Sequence, residues 1–131
     1  MRLLIRDSRE AVRVCARDFV EWVEVDVRLT KDGQHVIIHD ASVDRTSNGT
    51  GRVDALTLAE LKLLDFGEWF APRFRGLQIQ TRQELLELAK GKVNLYLDCK
   101  YVNAEILVEE IVAAEIQDQV VAPENSLAAI R

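Results

Sequence analysis

The chain has 131 residues, 48% of them hydrophobic and 30% charged, with 22 acidic against 17 basic side chains. That suffices for one domain with its own core, and the composition excludes collagen-like, low-complexity and disordered classes. A net charge of −5 leaves no basic excess to displace counterions, so no nucleic-acid partner is expected. No stretch approaches the roughly 20 apolar residues of a membrane span, and Met1 to Ile5 is broken by Arg6 and Asp7 too early for a secretory leader. Cys15 and Cys99 are too few to suggest a disulfide framework. A single cytoplasmic domain over residues 1–131 is the expectation.

Asp7 or Ser8 opens a predicted helix to about Asp18, with Glu10 in capping-box position. Val20 to Leu29 alternates, placing Val23, Val25 and Val27 on one strand face and Glu24 and Asp26 on the other. Lys31-Asp32-Gly33 reads as a turn. His35 to His39 carries Val36-Ile37-Ile38 and predicts a short buried strand. Ala41 to about Leu56 is polar and glycine-containing, hence a long loop. Thr57 to Glu60 is a capping box for a short helix over Leu58, Leu61 and Leu64.

Thr81 to Glu84 is another capping box, opening a helix to about Lys90 with Gly91 where helices stop. Val93 to Lys100 reads as a strand, Asn103 to about Ala114 as an amphipathic helix and Gln119 to Ala122 as a further strand. Asn125 is placed to cap a last helix. Strands separated by helices imply parallel pairing through crossovers, so the class is α/β.

Three groups could carry chemistry. Glu24 and Asp26 point the same way from one strand. They are either the solvated face of an edge strand or a pair of oxygen ligands suited to Mg²⁺ or Ca²⁺. His39, followed by Asp40, ends a strand where α/β enzymes place reactive groups, and imidazole suits proton transfer near neutrality. It reads equally as a hydrogen-bonded strand end, and His35 reads as structural. Tyr96, Asp98 and Lys100 alternate on one face of a third strand, where the carboxylate and ammonium could bind a metal and a phosphate or form a buried salt bridge. Phe66, Trp69, Phe70 and Phe74 read as packing.

The run Val23-Glu24-Val25-Asp26-Val27-Arg28-Leu29-Thr30-Lys31-Asp32-Gly33, then His39-Asp40, then Asp44-Arg45-Thr46-Ser47-Asn48-Gly49-Thr50-Gly51, resembles the glycerophosphodiester phosphodiesterases. So does the continuation Thr57…Glu60-Leu61…Leu64-Asp65…Gly67…Trp69-Phe70…Phe74…Gly76. The resemblance covers at least residues 20 to 100. It implies a TIM barrel with a small insertion after the second conserved strand, about residues 40–77. It further implies that Glu24, Asp26 and Asp98 bind a divalent metal, Mg²⁺ or Ca²⁺, that Lys100 holds the phosphate, and that His39 is one of two acid–base histidines. The substrate implied is a small glycerophosphodiester, cleaved to sn-glycerol 3-phosphate and an alcohol.

The chain departs from the family pattern in several places. Met1 to Ser8 contains no His-Arg-Gly motif, Asp98 stands where glutamate is common, and Ile79-Gln80-Thr81 replaces Ile-Pro-Thr. Ala122 to Arg131, with Pro123-Glu124-Asn125-Ser126, resembles a stretch the family carries near its start. By position that segment is a further strand and helix; the other reading is a permuted chain. A (βα)₈ barrel takes about 250 residues, so the chain supplies roughly half of the eight units. It is expected to be a fragment that lacks a C-terminal half, or a half-barrel that forms a homo-oligomer. The alternative to an active phosphodiesterase is a half-barrel of the same ancestry that binds without turnover.

Overall fold

Alternating valines give a strand one apolar and one polar face, and that pattern starts the architecture. A computed structural model describes residues 22–122; the helix expected at Asp7 to Asp18 and the one capped by Asn125 lie outside the described residues. Strand β1 (Trp22–Leu29) buries Val23, Val25 and Val27. It runs parallel to β4 (Asn94–Tyr101), with Glu24 opposite Tyr96 and Asp26 opposite Asp98. These lie at the centre of a five-stranded sheet of order β3-β2-β1-β4-β5. The edges are the two-residue strands β3 (Gln80–Thr81) and β5 (Val120–Val121).

The expectation that the strand leading to His39 is parallel to its neighbours is corrected. Strand β2 (His35–Ile37) pairs antiparallel with β1, and β3 pairs antiparallel with β2. Only residues 30–34 join β1 to β2, far too few for a crossover, so the chain must fold back as a hairpin. Gly33 supplies the left-handed φ of 77° at that turn, and Thr30 both donates to and accepts from the returning chain. The strand also stops at Ile37, leaving His39 in the loop beyond it. His39 therefore does not sit at the carboxyl end of a parallel strand.

Helix α1 (Leu58–Lys62) is capped by Thr57, whose hydroxyl accepts from the Glu60 N–H. Helix α2 (Arg82–Ala89) carries a reciprocal capping box: the Thr81 hydroxyl accepts from the Glu84 N–H, and the Glu84 carboxylate from the Thr81 N–H. Helix α3 (Ala104–Ala113) starts from Asn103, whose side-chain oxygen accepts from the Ile106 N–H at 3.2 Å. All three caps stand where the sequence signals put them.

The helices cover one face of the sheet. Val25, Leu95 and Leu97 from the strands pack with Leu85, Leu86 and Leu107 from α2 and α3, each fully buried side chain contributing about 1.5–3 kcal/mol. A second cluster holds Val36, Ile38, Val43, Val53, Leu61 and Ile79 beneath the segment between β2 and β3. Strand β2 serves both, since Ile37 faces the first cluster and Val36 the second, which is why its apolar run is unbroken. Cys99 lies inside the first cluster, where burial pushes its thiol up to about 11. Among the described residues, no helix lies over the opposite face of β1 and β4, which carries the polar residues.

Candidate metal and phosphate site

Two parallel strands in register bring three carboxylates together. Glu24 and Asp26 project from β1 and Asp98 from β4, and one oxygen of each lies within 4.8 Å of the others. Oxygens bound to a single Mg²⁺ or Ca²⁺ at about 2.0–2.6 Å lie no more than about 5 Å apart. The donor set, three carboxylates and no sulfur or imidazole, fits a hard divalent cation. Their environments differ: Glu24 is exposed, Asp98 half-buried and Asp26 wholly buried.

Lys100 joins them. Its Nζ lies 2.9 Å from Asp98 Oδ2 and 3.7 Å from Asp26 Oδ1, and the Asp98 hydrogen bond raises its pKa, with smaller support from the Asp26 charge. The β1–β4 register shifts after Val27, so Cys99 faces Val27 and Tyr101 faces Arg28. Lys100 is the residue passed over. Such bulges re-aim a side chain, and here the ammonium is aimed at the carboxylates. The salt-bridge alternative for this strand is thus present as a partly exposed ion pair, and it sits beside the acidic cluster.

His39 enters from the loop after β2. The Ile38 N–H donates to the Asp26 carbonyl at 3.0 Å, so the main chain passes beside the buried carboxylate just before His39. The Arg28 guanidinium donates from Nε and Nη2 to the His39 carbonyl at 3.0 and 2.9 Å. The imidazole Nδ1 lies 2.8 Å from Asp40 Oδ1, and Arg45 binds both oxygens of that carboxylate, each at 2.8 Å. Arg28 and Arg45 are not among the candidates that the sequence offers. Arg28 left a signal, because it continues the spacing of Glu24 and Asp26; Arg45 lies in a loop and left none.

His35 is elsewhere. Its Nε2 accepts from the Asn103 N–H at 3.0 Å and its Nδ1 faces Glu110 at 3.3 Å. It is buried against the start of α3, as the structural reading held. With only two histidines in the chain, His39 has no second imidazole beside it.

Residues 8–131 match the family model of the glycerophosphoryl diester phosphodiesterase family. The chain belongs to that family. A putative glycerophosphodiester phosphodiesterase of Bacillus subtilis is 44% identical over 90 residues, 69% of this chain and 37% of that protein. A glycerophosphodiester phosphodiesterase of Caldanaerobacter subterraneus is 50% identical over 72 residues, 55% of this chain and 30% of that protein. The crystal structure of the Agrobacterium tumefaciens glycerophosphodiester phosphodiesterase superposes with a TM-score of 0.87 at 26% identity, over 94% of this chain and 54% of that one. An Oleispira antarctica phosphodiesterase, solved with its product sn-glycerol-3-phosphate, gives 0.68 at 29% identity, over 94% of this chain and 56% of that one. The chain thus spans about a third of the curated relatives and about half of the solved ones, and its sheet corresponds to part of their TIM barrel.

Proposed function

We propose that this chain carries the metal- and phosphate-binding part of a glycerophosphodiester phosphodiesterase, hydrolysing small glycerophosphodiesters to sn-glycerol 3-phosphate and an alcohol in the cytoplasm. The observation that carries the reading is the convergence of Glu24, Asp26 and Asp98 from two strands within the reach of one cation. We assign these three as the ligands of Mg²⁺ or Ca²⁺, which when bound supplies positive charge to the phosphate and acidifies an attacking oxygen.

The chain's own residues do the rest. Lys100, beside two of the carboxylates, offsets the charge that grows on the phosphoryl oxygens. His39 exchanges a proton with the alcohol oxygens. Arg28 fixes the main chain on which His39 stands. The product held by the Oleispira antarctica relative supports the choice of substrate class.

Purified protein with Mg²⁺ or Ca²⁺ and glycerophosphocholine should release glycerol 3-phosphate. Release no greater than that of the His39→Ala variant would refute turnover. A second reading is favoured by the placement of His35, which is buried against α3 and cannot replace the family's second histidine. Loss of one acid–base group costs on the order of 10² to 10⁴ in rate, so a module that binds a metal and a phosphodiester without turnover also fits. Calorimetric Mg²⁺ or Ca²⁺ binding without hydrolysis would select it.

A further inference from the structure

Asp40 and Arg45 belong to no element of the sheet, yet they are tied to His39 by a chain of three short contacts. Asp40 Oδ1 lies 2.8 Å from His39 Nδ1. Arg45 donates from Nη2 to that same oxygen and from Nε to Oδ2, each at 2.8 Å. Behind Arg45 stands Trp69, with the guanidinium 5.7 Å from the ring centroid. Trp69 is itself fixed by donation from its Nε1 to the Phe66 carbonyl at 3.0 Å. The segment between β2 and β3 therefore reaches back through one cation to the histidine at its start.

The direction of each hydrogen bond follows from chemistry. An ionised carboxylate only accepts and a guanidinium only donates. Arg45, with His39 as a smaller second cause, holds the Asp40 carboxyl well below the usual carboxylate range, so it is an anion at any working pH. A neutral imidazole 2.8 Å from that anion must carry its proton on Nδ1, which leaves Nε2 bare. Nε2 is then the nitrogen that exchanges protons. The fork of Arg45 occupies both carboxylate oxygens in one plane, a geometry that lysine cannot copy.

We infer that Arg45 is a positioning residue that acts through Asp40 to lock His39 in the Nδ1–H tautomer with Nε2 open for proton transfer. The inference rests on the role proposed above for His39, but tautomer and turnover are measured separately. The experiment is ¹⁵N-resolved imidazole NMR on the chain and its Arg45→Lys, Arg45→Leu and Asp40→Asn variants, about two pH units above the ordinary histidine value. His35, fixed as Nδ1–H by the Asn103 N–H on its Nε2, is an internal monitor of folding.

The unmutated chain should show His39 as Nδ1–H. Arg45→Leu should release Asp40 and give an averaged mixture of tautomers, while Arg45→Lys restores the lock only in part. Asp40→Asn should turn its oxygen to Arg45 and its NH₂ to His39, switching the ring to Nε2–H. His35 should be unchanged throughout. Where turnover is present, Arg45→Leu should lower kcat on the order of 10- to 100-fold, the usual cost of losing an orienting partner, with KM little changed. A His39 that averages between tautomers in the unmutated chain, or one that Arg45→Leu leaves unaltered, overturns the inference whether or not the chain hydrolyses substrate. Absence of hydrolysis with the tautomer lock intact counts against turnover alone.

Discussion

Glu24 and Asp26 share a strand face, yet one is exposed and the other fully buried. A carboxylate removed from water needs compensating positive charge, and Lys100 supplies part of it at 3.7 Å. Asp98 sits between the two roles, pairing with Lys100 at 2.9 Å and completing the three-oxygen cluster. Asp98→Asn should therefore weaken Mg²⁺ or Ca²⁺ binding by more than the roughly 10–100-fold typical of losing an outer partner. Asp98→Glu, which keeps the charge, should retain it. Calorimetric titration reads both, and an Asp98→Asn variant that binds as tightly as the parent would remove Asp98 from the ligand set. His35 gives a second test at this scale. Burial, the largest cause, lowers its pKa, against an opposing pull from Glu110. The unfolded chain therefore takes up the proton first as pH falls. Stability is full above the ordinary histidine value of about 6.5 and declines as pH drops from there through the lowered folded value. Denaturation midpoints between about pH 8 and 5 should slope accordingly, and His35→Gln should flatten the slope. An unchanged slope in that variant would show that another group titrates.

At the scale of elements, the local signals and the non-local ones fared differently. The Thr57 cap, the Thr81 capping box and the Asn103 cap need only a few adjacent residues, so their positions are legible directly. The alternation of β1 and β4 likewise puts Glu24 with Asp26, and Asp98 with Lys100, on one face of each strand; that the two pairs form one set is implied only by the family resemblance. The reversal of β2 could not be read from periodicity, which carries no direction; the short turn through Gly33 decides it. Asp40 and Arg45 meet across a loop with no period, so no sequence pattern announces their pairing. The loop segment has its own close approach. A Cβ on Gly67 would stand 1.8 Å from the Phe74 carbonyl oxygen, which is backbone and cannot yield cheaply. Asp65 caps the N–H groups of Gly67 and Gly76 there, at 2.8 Å each. Gly67→Ala should destabilise this segment by more than the roughly 1 kcal/mol typical of point substitutions. Faster amide exchange in residues 65–77, with the β1–β4 pair unaffected, would be the sign. Uniform exchange across both regions would mean that the two clusters unfold as one.

At the scale of the molecule, the face that carries the candidate site is also the one that no helix covers among the described residues. In a closed barrel the inward side chains of each strand pack against those of the others. Here Trp22 is 46% exposed and Tyr96 40% exposed, on the same strand faces as Glu24 and Asp98. The sheet edges offer little for pairing, since β3 and β5 hold two residues each, and short edge strands resist edge-to-edge association. Association should therefore use the open face rather than the edges. Exposed aromatic surface beside polar groups is the usual mark of a contact region, and a second copy or further barrel strands would cover it. The 131-residue chain should show concentration-dependent sedimentation, and Trp22→Lys should shift it toward monomer while leaving α2 and α3 intact by circular dichroism. Mg²⁺ or Ca²⁺ should favour association if the two copies meet over the carboxylates, because the cation cancels the negative charge with which the bare acidic faces repel each other. Sedimentation as a monomer at every concentration, with Trp22 emission solvent-exposed, would show instead that the half-sheet is stable with this face in water.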